Sequence, residues 1–202
     1  MKNIRLTVWI GIMCGWLAAG MLQAGTRPDN ARPAEEDGSR LWLPVMRPVE
    51  GAEVEVIYKG KVSPTIAVAI AELKNAWKGE PVLLEKKRTG QGDGFAITSS
   101  EHQVRILSST EAGLLYGVYS LLRMQAVGQV TVPLSVTEQS VYDLRILNHW
   151  DNPDGTVERG YAGCSLWNWE ELPGTLSPRY EAYARANASV GINGTVLNNV
   201  NA

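Results

Sequence analysis

Cysteine, histidine and phenylalanine are scarce: two Cys, two His and one Phe in 202 residues. Cys14 lies in an N-terminal apolar run, which leaves Cys164 alone in the rest of the chain, so no internal disulfide is expected. A lone cysteine can act as a nucleophile beside a histidine. Cys164, however, sits in a Gly-Cys-Ser loop with only His102 and His149 as candidate partners, and it reads as a small-residue filler. HExxH, CxxC and histidine pairs at ligand spacing are missing, so no metal centre is expected. The Gly-Gln-Gly-Asp-Gly turn ending at Gly94 lacks the strand-to-helix setting of a phosphate loop, and no cofactor is implied. A formal charge of -2, without a basic stripe, excludes an electrostatic case for nucleic acid.

Tryptophan and tyrosine are abundant instead, seven of each. Both offer a flat apolar face with a polar handle, which suits core filling and sugar surfaces alike. An apolar content of 45% is enough for a real core and speaks against a disordered chain.

Met1 to Ala24 has the form of a secretory leader: basic Lys2 and Arg5, an apolar run from Leu6 to Ala19, and a small-residue end at Ala24. The run is short for a bilayer span, which takes roughly 20 residues, so no stable membrane insertion is expected after cleavage. The expected location is secreted, periplasmic or extracellular. Without the leader, 17 Lys and Arg face 21 Asp and Glu, a formal charge of -4. Residues 25–40 are charged, Pro-rich and poor in large apolar groups, the composition of a disordered linker.

Residues 41–140 read as an α+β domain. Val54, Val56 and Tyr58 alternate with Glu53 and Glu55 in a half-buried strand. Ser63-Pro64 opens a helix, as cap and first helical residue; Ile66, Ile70, Leu73 and Trp77 share its face, and Gly79 ends it. Strands follow at Pro81–Glu85, Phe95–Thr98 and Gln103–Leu107. A second helix, from about Glu111 to Gln125, aligns Leu114, Val118, Leu121, Leu122 and Gln125, and Gly128 closes it. Val130–Val136 reads as the last strand. The order β-α-β-β-β-α-β predicts a mixed sheet with helices on one face.

Residues 141–202 read as one β-loop-α-β unit. Leu144–Leu147 is a short strand followed by Asn148-His149-Trp150-Asp151-Asn152. A long loop carries Glu158-Arg159-Gly160-Tyr161, Trp167 and Trp169. Ser177-Pro178 starts a helix with Tyr180, Tyr183, Ala184 and Ala188 inward and Gly191 as its stop. Gly194–Leu197 is the second strand, ending in Asn198-Asn199-Val200-Asn201. The sequons at Asn187 and Asn193 fall on predicted regular elements, which disfavours their use. Parallel strands need both faces covered, which two strands and one helix cannot do alone. Glu158-Arg159 could pin the loop as an ion pair, and Trp167 and Trp169 could pack beneath it. The crowding of amides, carboxylates and indoles at one edge points further, to a sugar site, where amides and carboxylates meet hydroxyls and an aromatic face meets the ring.

The runs NHWDN, DG, ERGYAG and SLW between Asn148 and Trp167, followed by RY, YARANAS and GINGTVLNNVNA between Arg179 and Ala202, resemble the start of the catalytic barrel in family 67 glycoside hydrolases, the α-glucuronidases of xylan breakdown. The helix EAGLLYGVYSLL from Glu111 resembles the accessory domain before that barrel, found also in hexosaminidase relatives. The resemblance implies an accessory domain followed by the first β-loop-α-β unit of a (β/α)8 TIM barrel. It implies inverting hydrolysis of the bond joining 4-O-methylglucuronic acid to the terminal xylose of a xylo-oligosaccharide. Inversion needs an acid and a base roughly 6.5–9.5 Å apart; in the family both lie on later strands. A barrel takes about 250 residues, so the chain is expected to be an N-terminal fragment, inactive alone, of an enzyme whose family members are often homodimers. The resemblance places Trp150 and Val200 on the pocket wall beside the sugar and its methyl group. Asp151, Asn198 and Asn199, their neighbours, are expected to touch hydroxyls or brace that wall. The rival expectation is a non-catalytic secreted carbohydrate-binding or interaction module. A third, another barrel glycosidase such as a hexosaminidase, would place its Asp-Glu pair further along.

Overall fold

A computed structural model describes residue 43 and residues 54–88 and 92–198. The expected leader, the linker and the first two residues of the expected α+β domain, Leu41 and Trp42, lie outside these residues, as do Asn199, Val200 and Asn201. Two compact units are present, one spanning Leu43–Asp143, the other holding the residues from Leu144 onward. No helix among the described residues is long and apolar enough to cross a membrane.

The first unit runs β1 (Val56–Tyr58), α1 (Pro64–Ala76), β2 (Val82–Lys86), β3 (Phe95–Ser99), β4 (Val104–Ser108), α2 (Glu111–Ala126) and β5 (Ser135–Glu138). These strands form one mixed sheet in the order β1-β2-β4-β3-β5. β1, β2 and β4 are parallel, and β3 is antiparallel to both β4 and β5. The two crossovers, β1-α1-β2 and β4-α2-β5, step across the sheet in the same direction. Right-handed crossovers then put both helices on one face. Their direct contact agrees: the Tyr119 hydroxyl donates to Glu72 at 3.3 Å, and Gln125 Nε2 donates to the Ala76 carbonyl at 2.8 Å.

Ser63 caps α1 through its Oγ, which accepts from the Ile66 amide at 3.2 Å, with Pro64 in the first turn. The helix stops at Ala76, before Gly79. Trp77 turns back, its Nε1 donating to the Glu80 carbonyl at 2.8 Å. Gly79 allows this, since a Cβ there would meet the indole at 2.3 Å. α2 is buried well beyond the expected face, with Leu115, Tyr116 and Tyr119 inside as well. It lies against both α1 and the sheet, and a helix enclosed on several sides becomes apolar nearly all round. Gly117 permits the close approach, because a Cβ there would meet Ile106 Cγ2 at 2.5 Å.

The last strand departs from expectation. It begins at Ser135, not Val130. Pro133 explains the shift, since proline has no amide to give to a ladder. Pairing starts one residue later, where Ser99 N donates to the Leu134 carbonyl at 2.9 Å.

The second unit has β6 (Ile146–Trp150), α3 (Pro178–Ser189) and β7 (Gly194–Asn198). β6 and β7 pair in parallel, with Ile146 opposite Gly194 and Trp150 opposite Asn198. Gly191, at φ 79°, ends α3 in the left-handed conformation that favours glycine. Tyr180, Tyr183 and Ala188 face inward as expected, and Asn187 and Ser189 join them.

Candidate functional site at the ends of two parallel strands

β6 extends further than its apolar residues indicate. The expected strand ended at Leu147, but Asn148, His149 and Trp150 are inside it. Alternation along the strand then sorts the cluster onto two faces. Leu147 and His149 lie opposite Thr195 and Leu197 on one face; Ile146, Asn148 and Trp150 lie opposite Gly194, Val196 and Asn198 on the other.

The first face is covered by α3 and the loop. Trp167, Tyr180 and Tyr183 form a buried aromatic cluster, with Leu166, Leu172 and Leu197 packed around it. Trp167 stacks on Tyr180 at 4.9 Å between centroids and meets His149 edge-on at 5.6 Å. Trp167 is therefore a core residue. The Tyr180 hydroxyl accepts from the Asn168 amide at 2.8 Å and donates to Glu171 Oε2 at 3.0 Å, tying the loop to the helix start.

Asp151 follows β6 and points the same way as His149. Its side chain is buried, with Oδ1 3.4 Å from His149 Nδ1, and Oδ2 accepts from Ser165 Oγ at 2.5 Å. His149 Nε2 in turn meets the Tyr183 hydroxyl. Burial holds the His149 pKa below its ordinary 6.5, against an opposing pull from the Asp151 charge.

The opposite face is open. Trp150 is 46% exposed, Ile146 48% and Val196 41%, and Asn148 and Asn198 are exposed too. Trp150 thus stands between two amides at the carboxyl ends of parallel strands, where α/β folds bind ligands.

The loop grips this edge. The Trp150 carbonyl accepts from Glu158 N at 2.7 Å, and Asp151 N donates to the Asn198 carbonyl at 3.1 Å. Asn152 is buried, and its Nδ2 donates to Thr156 Oγ1 at 2.8 Å and to the Glu158 carbonyl at 2.7 Å. Glu158 holds a left-handed φ of 55°. Its hydrogen bond and charge push the Tyr161 hydroxyl above its ordinary pKa of 10.0. Cys164 is exposed, its backbone bridged to Thr156.

Of the five candidate wall residues, Trp150 and Asn198 share the open face as register partners. Asp151 is turned to the covered face. Asn199 and Val200 lie outside the described residues. Sequence reading places Asn152 in the strand-end cluster but does not single out Tyr183 or Ser165 as partners for this edge. Strict alternation from Ile146 would have separated Trp150 from His149 and Asp151. No group of three metal-binding side chains occurs among the described residues.

Residues 124–202 match the glycosyl hydrolase family 67 middle domain. Over this segment the chain is similar to family 67. The match covers all of β6, the aromatic loop, α3 and β7. A probable alpha-glucuronidase A of Aspergillus clavatus is 41% identical over 111 residues, covering 54% of this chain and 13% of the relative. A probable alpha-glucuronidase A of Neosartorya fischeri is 44% identical over 111 residues, with the same coverage of 54% and 13%. The alignments thus span about an eighth of the length of these relatives. Among solved structures, a GH138 enzyme targeting pectin rhamnogalacturonan II has a TM-score of 0.43 at 16% identity, covering 50% of this chain and 17% of that one.

Proposed function

We propose that this chain belongs to family 67 and is the N-terminal part of an exported α-glucuronidase. The whole enzyme removes 4-O-methylglucuronic acid from the terminal xylose of xylo-oligosaccharides, with inversion. Residues from Leu144 onward open its (β/α)8 barrel and build one wall of the sugar pocket. Trp150 offers its indole face to the sugar ring, Asn198 offers an amide to a hydroxyl, and Asn199 and Val200 continue the wall. Asp151 braces this wall from behind.

The observation that carries this reading is where the family 67 segment falls. It covers a parallel β-loop-α-β unit whose strand ends present Trp150 opposite Asn198 on an open face. The Asp151 carboxylate, the one next to Trp150, is engaged with Ser165 and His149 on the covered face, which suits a brace better than an acid or base. The family resemblance puts the catalytic pair on later strands, so the 202-residue chain is expected not to cleave by itself.

The test uses the purified chain and an aldotriouronic acid. Chromatography is expected to show no released uronic acid. Saturation-transfer NMR is expected to show contact with the uronosyl ring that is lost in Trp150→Ala. Measurable hydrolysis would place the acid and base within these residues. Absence of transfer to the unaltered chain would remove Trp150 from the wall.

A further inference from the structure

We propose that Tyr183, His149, Asp151 and Ser165 are positioning residues, a directed hydrogen-bond chain that locks the end of β6 from its covered face and so fixes Trp150 on the open one. The proposal rests on the wall reading only for what Trp150 does, not for how it is held.

The direction of the chain follows from its chemistry. An ionised carboxylate only accepts, so His149 Nδ1, 3.4 Å from Asp151 Oδ1, carries the ring proton. In the neutral imidazole Nε2 is then an acceptor, and the Tyr183 hydroxyl donates to it. At the other end Ser165 Oγ donates to Asp151 Oδ2 and accepts from the Trp167 amide at 2.9 Å. One line of bonds thereby joins α3, the end of β6 and the aromatic loop. Burial favours the neutral ring this arrangement needs, and Trp167 closes one side of it.

Trp150 lies between the two locked residues. His149 and Asp151 are held by their side chains, while the backbone is held on both edges, by Glu158 on one and Asn198 on the other. With both flanking residues fixed, the Cα–Cβ direction of Trp150 has little freedom. The cost of holding an exposed indole still is carried by residues that never reach the open face. Such support from behind is what keeps a binding constellation within a fraction of an ångström of its working geometry.

The first measurement is long-range 1H–15N NMR of the unaltered 202-residue chain near pH 7.5. His149 is expected as a single tautomer, protonated at Nδ1 and bare at Nε2. Protonation at Nε2, or exchange averaging of the two forms, overturns the proposal. The second follows the Trp150 indole N–H, identified by its loss in Trp150→Phe. Tyr183→Phe and Ser165→Ala are each expected to shift or broaden it, with the Trp77 indole unmoved, and Ser165→Thr is expected to restore it. An unchanged Trp150 signal in either folded variant overturns the proposal; should Tyr183→Phe not fold, Ser165→Ala decides. A correct tautomer without sugar contact would sink the wall reading alone, whereas sugar contact with averaged tautomers would sink this one alone.

Discussion

The Tyr183 hydroxyl on α3 meets His149 Nε2 on β6, 34 residues away in sequence. This contact makes a half-buried histidine part of the fold of the second unit. Burial disfavours the imidazolium and lowers the His149 pKa below 6.5, while the Asp151 charge only partly opposes the shift. The other close neighbours, Tyr183 and Trp167, bring no charge at neutral pH.

A pH dependence follows. Between the lowered native pKa and 6.5, the unfolded chain holds a proton that native His149 does not. Stability therefore rises with pH through that window and falls on acidification through it. Denaturant unfolding of the chain between pH 5 and 8, followed through tryptophan fluorescence, should show this slope. His149→Gln should flatten it. A wild-type slope that persists in the variant would assign the titration elsewhere.

Trp167→Ala tests whether the loop is built on a core. The side chain is 4% exposed and packs on Tyr180, Tyr183 and His149. Truncating a buried tryptophan typically costs about 3–5 kcal/mol. In a unit with one helix and two strands, that loss should abolish its cooperative unfolding and expose residues 151–176 to protease. A loss below about 1 kcal/mol would mean the cluster repacks easily.

Much of the first unit was legible in the sequence. Ser63-Pro64 marked α1 through a cap and a fixed φ, which are local effects. The five strands lie near the runs that predict them, the first from its alternation, and the late start of β5 traces to one proline. Beyond local patterning, legibility failed. The apolar residues of β6 end at Leu147, yet a strand ending at a site can carry polar residues on both faces, and β6 runs on to Trp150. The Tyr183–His149–Asp151–Ser165 chain joins residues up to 34 positions apart, and no periodicity encodes such a meeting. Asn187 was hidden for a similar reason: it sits four residues after Tyr183 on a face that otherwise reads as apolar, and it is fully buried. A glycan there would require the helix to open.

Gly117→Ala probes the packing of α2 on the sheet. The new methyl would lie 2.5 Å from Ile106 Cγ2, with Phe95 at 3.3 Å behind it. Overpacking of this kind costs about 1–3 kcal/mol, even though alanine is the better helix former. Chemical denaturation should show a lower midpoint. An unchanged or raised midpoint would show that α2 can lift off the sheet freely.

Glu158→Gly should act in the opposite direction. Glu158 is held at φ 55°, where a side chain crowds its own backbone at a cost of about 1–2 kcal/mol. Glycine removes that strain but loses about 0.5–1 kcal/mol of chain entropy. The net expectation is a gain of up to about 1.5 kcal/mol in the second unit. The bond to exposed Tyr161 would be lost, and its hydroxyl should then titrate nearer 10.0. A destabilised variant would indicate that the Glu158 side chain, rather than its backbone bond to Trp150, holds the loop.

Trp150 and Trp167 lie on either side of the same strand end, and their truncation should separate binding from folding. Trp150 is 46% exposed on the open face, whereas Trp167 is 4% exposed in the cluster. Half of the Trp150 ring already meets water, so Trp150→Ala should cost less than about 1 kcal/mol. Its tautomer-bearing neighbour His149 should keep its NMR signature, because the hydrogen-bond chain runs behind the strand. Contact with the uronosyl sugar should nevertheless disappear. If Trp150→Ala instead destabilised the unit as much as Trp167→Ala does, the indole would be a packing residue, and the open face would lose its best ligand group.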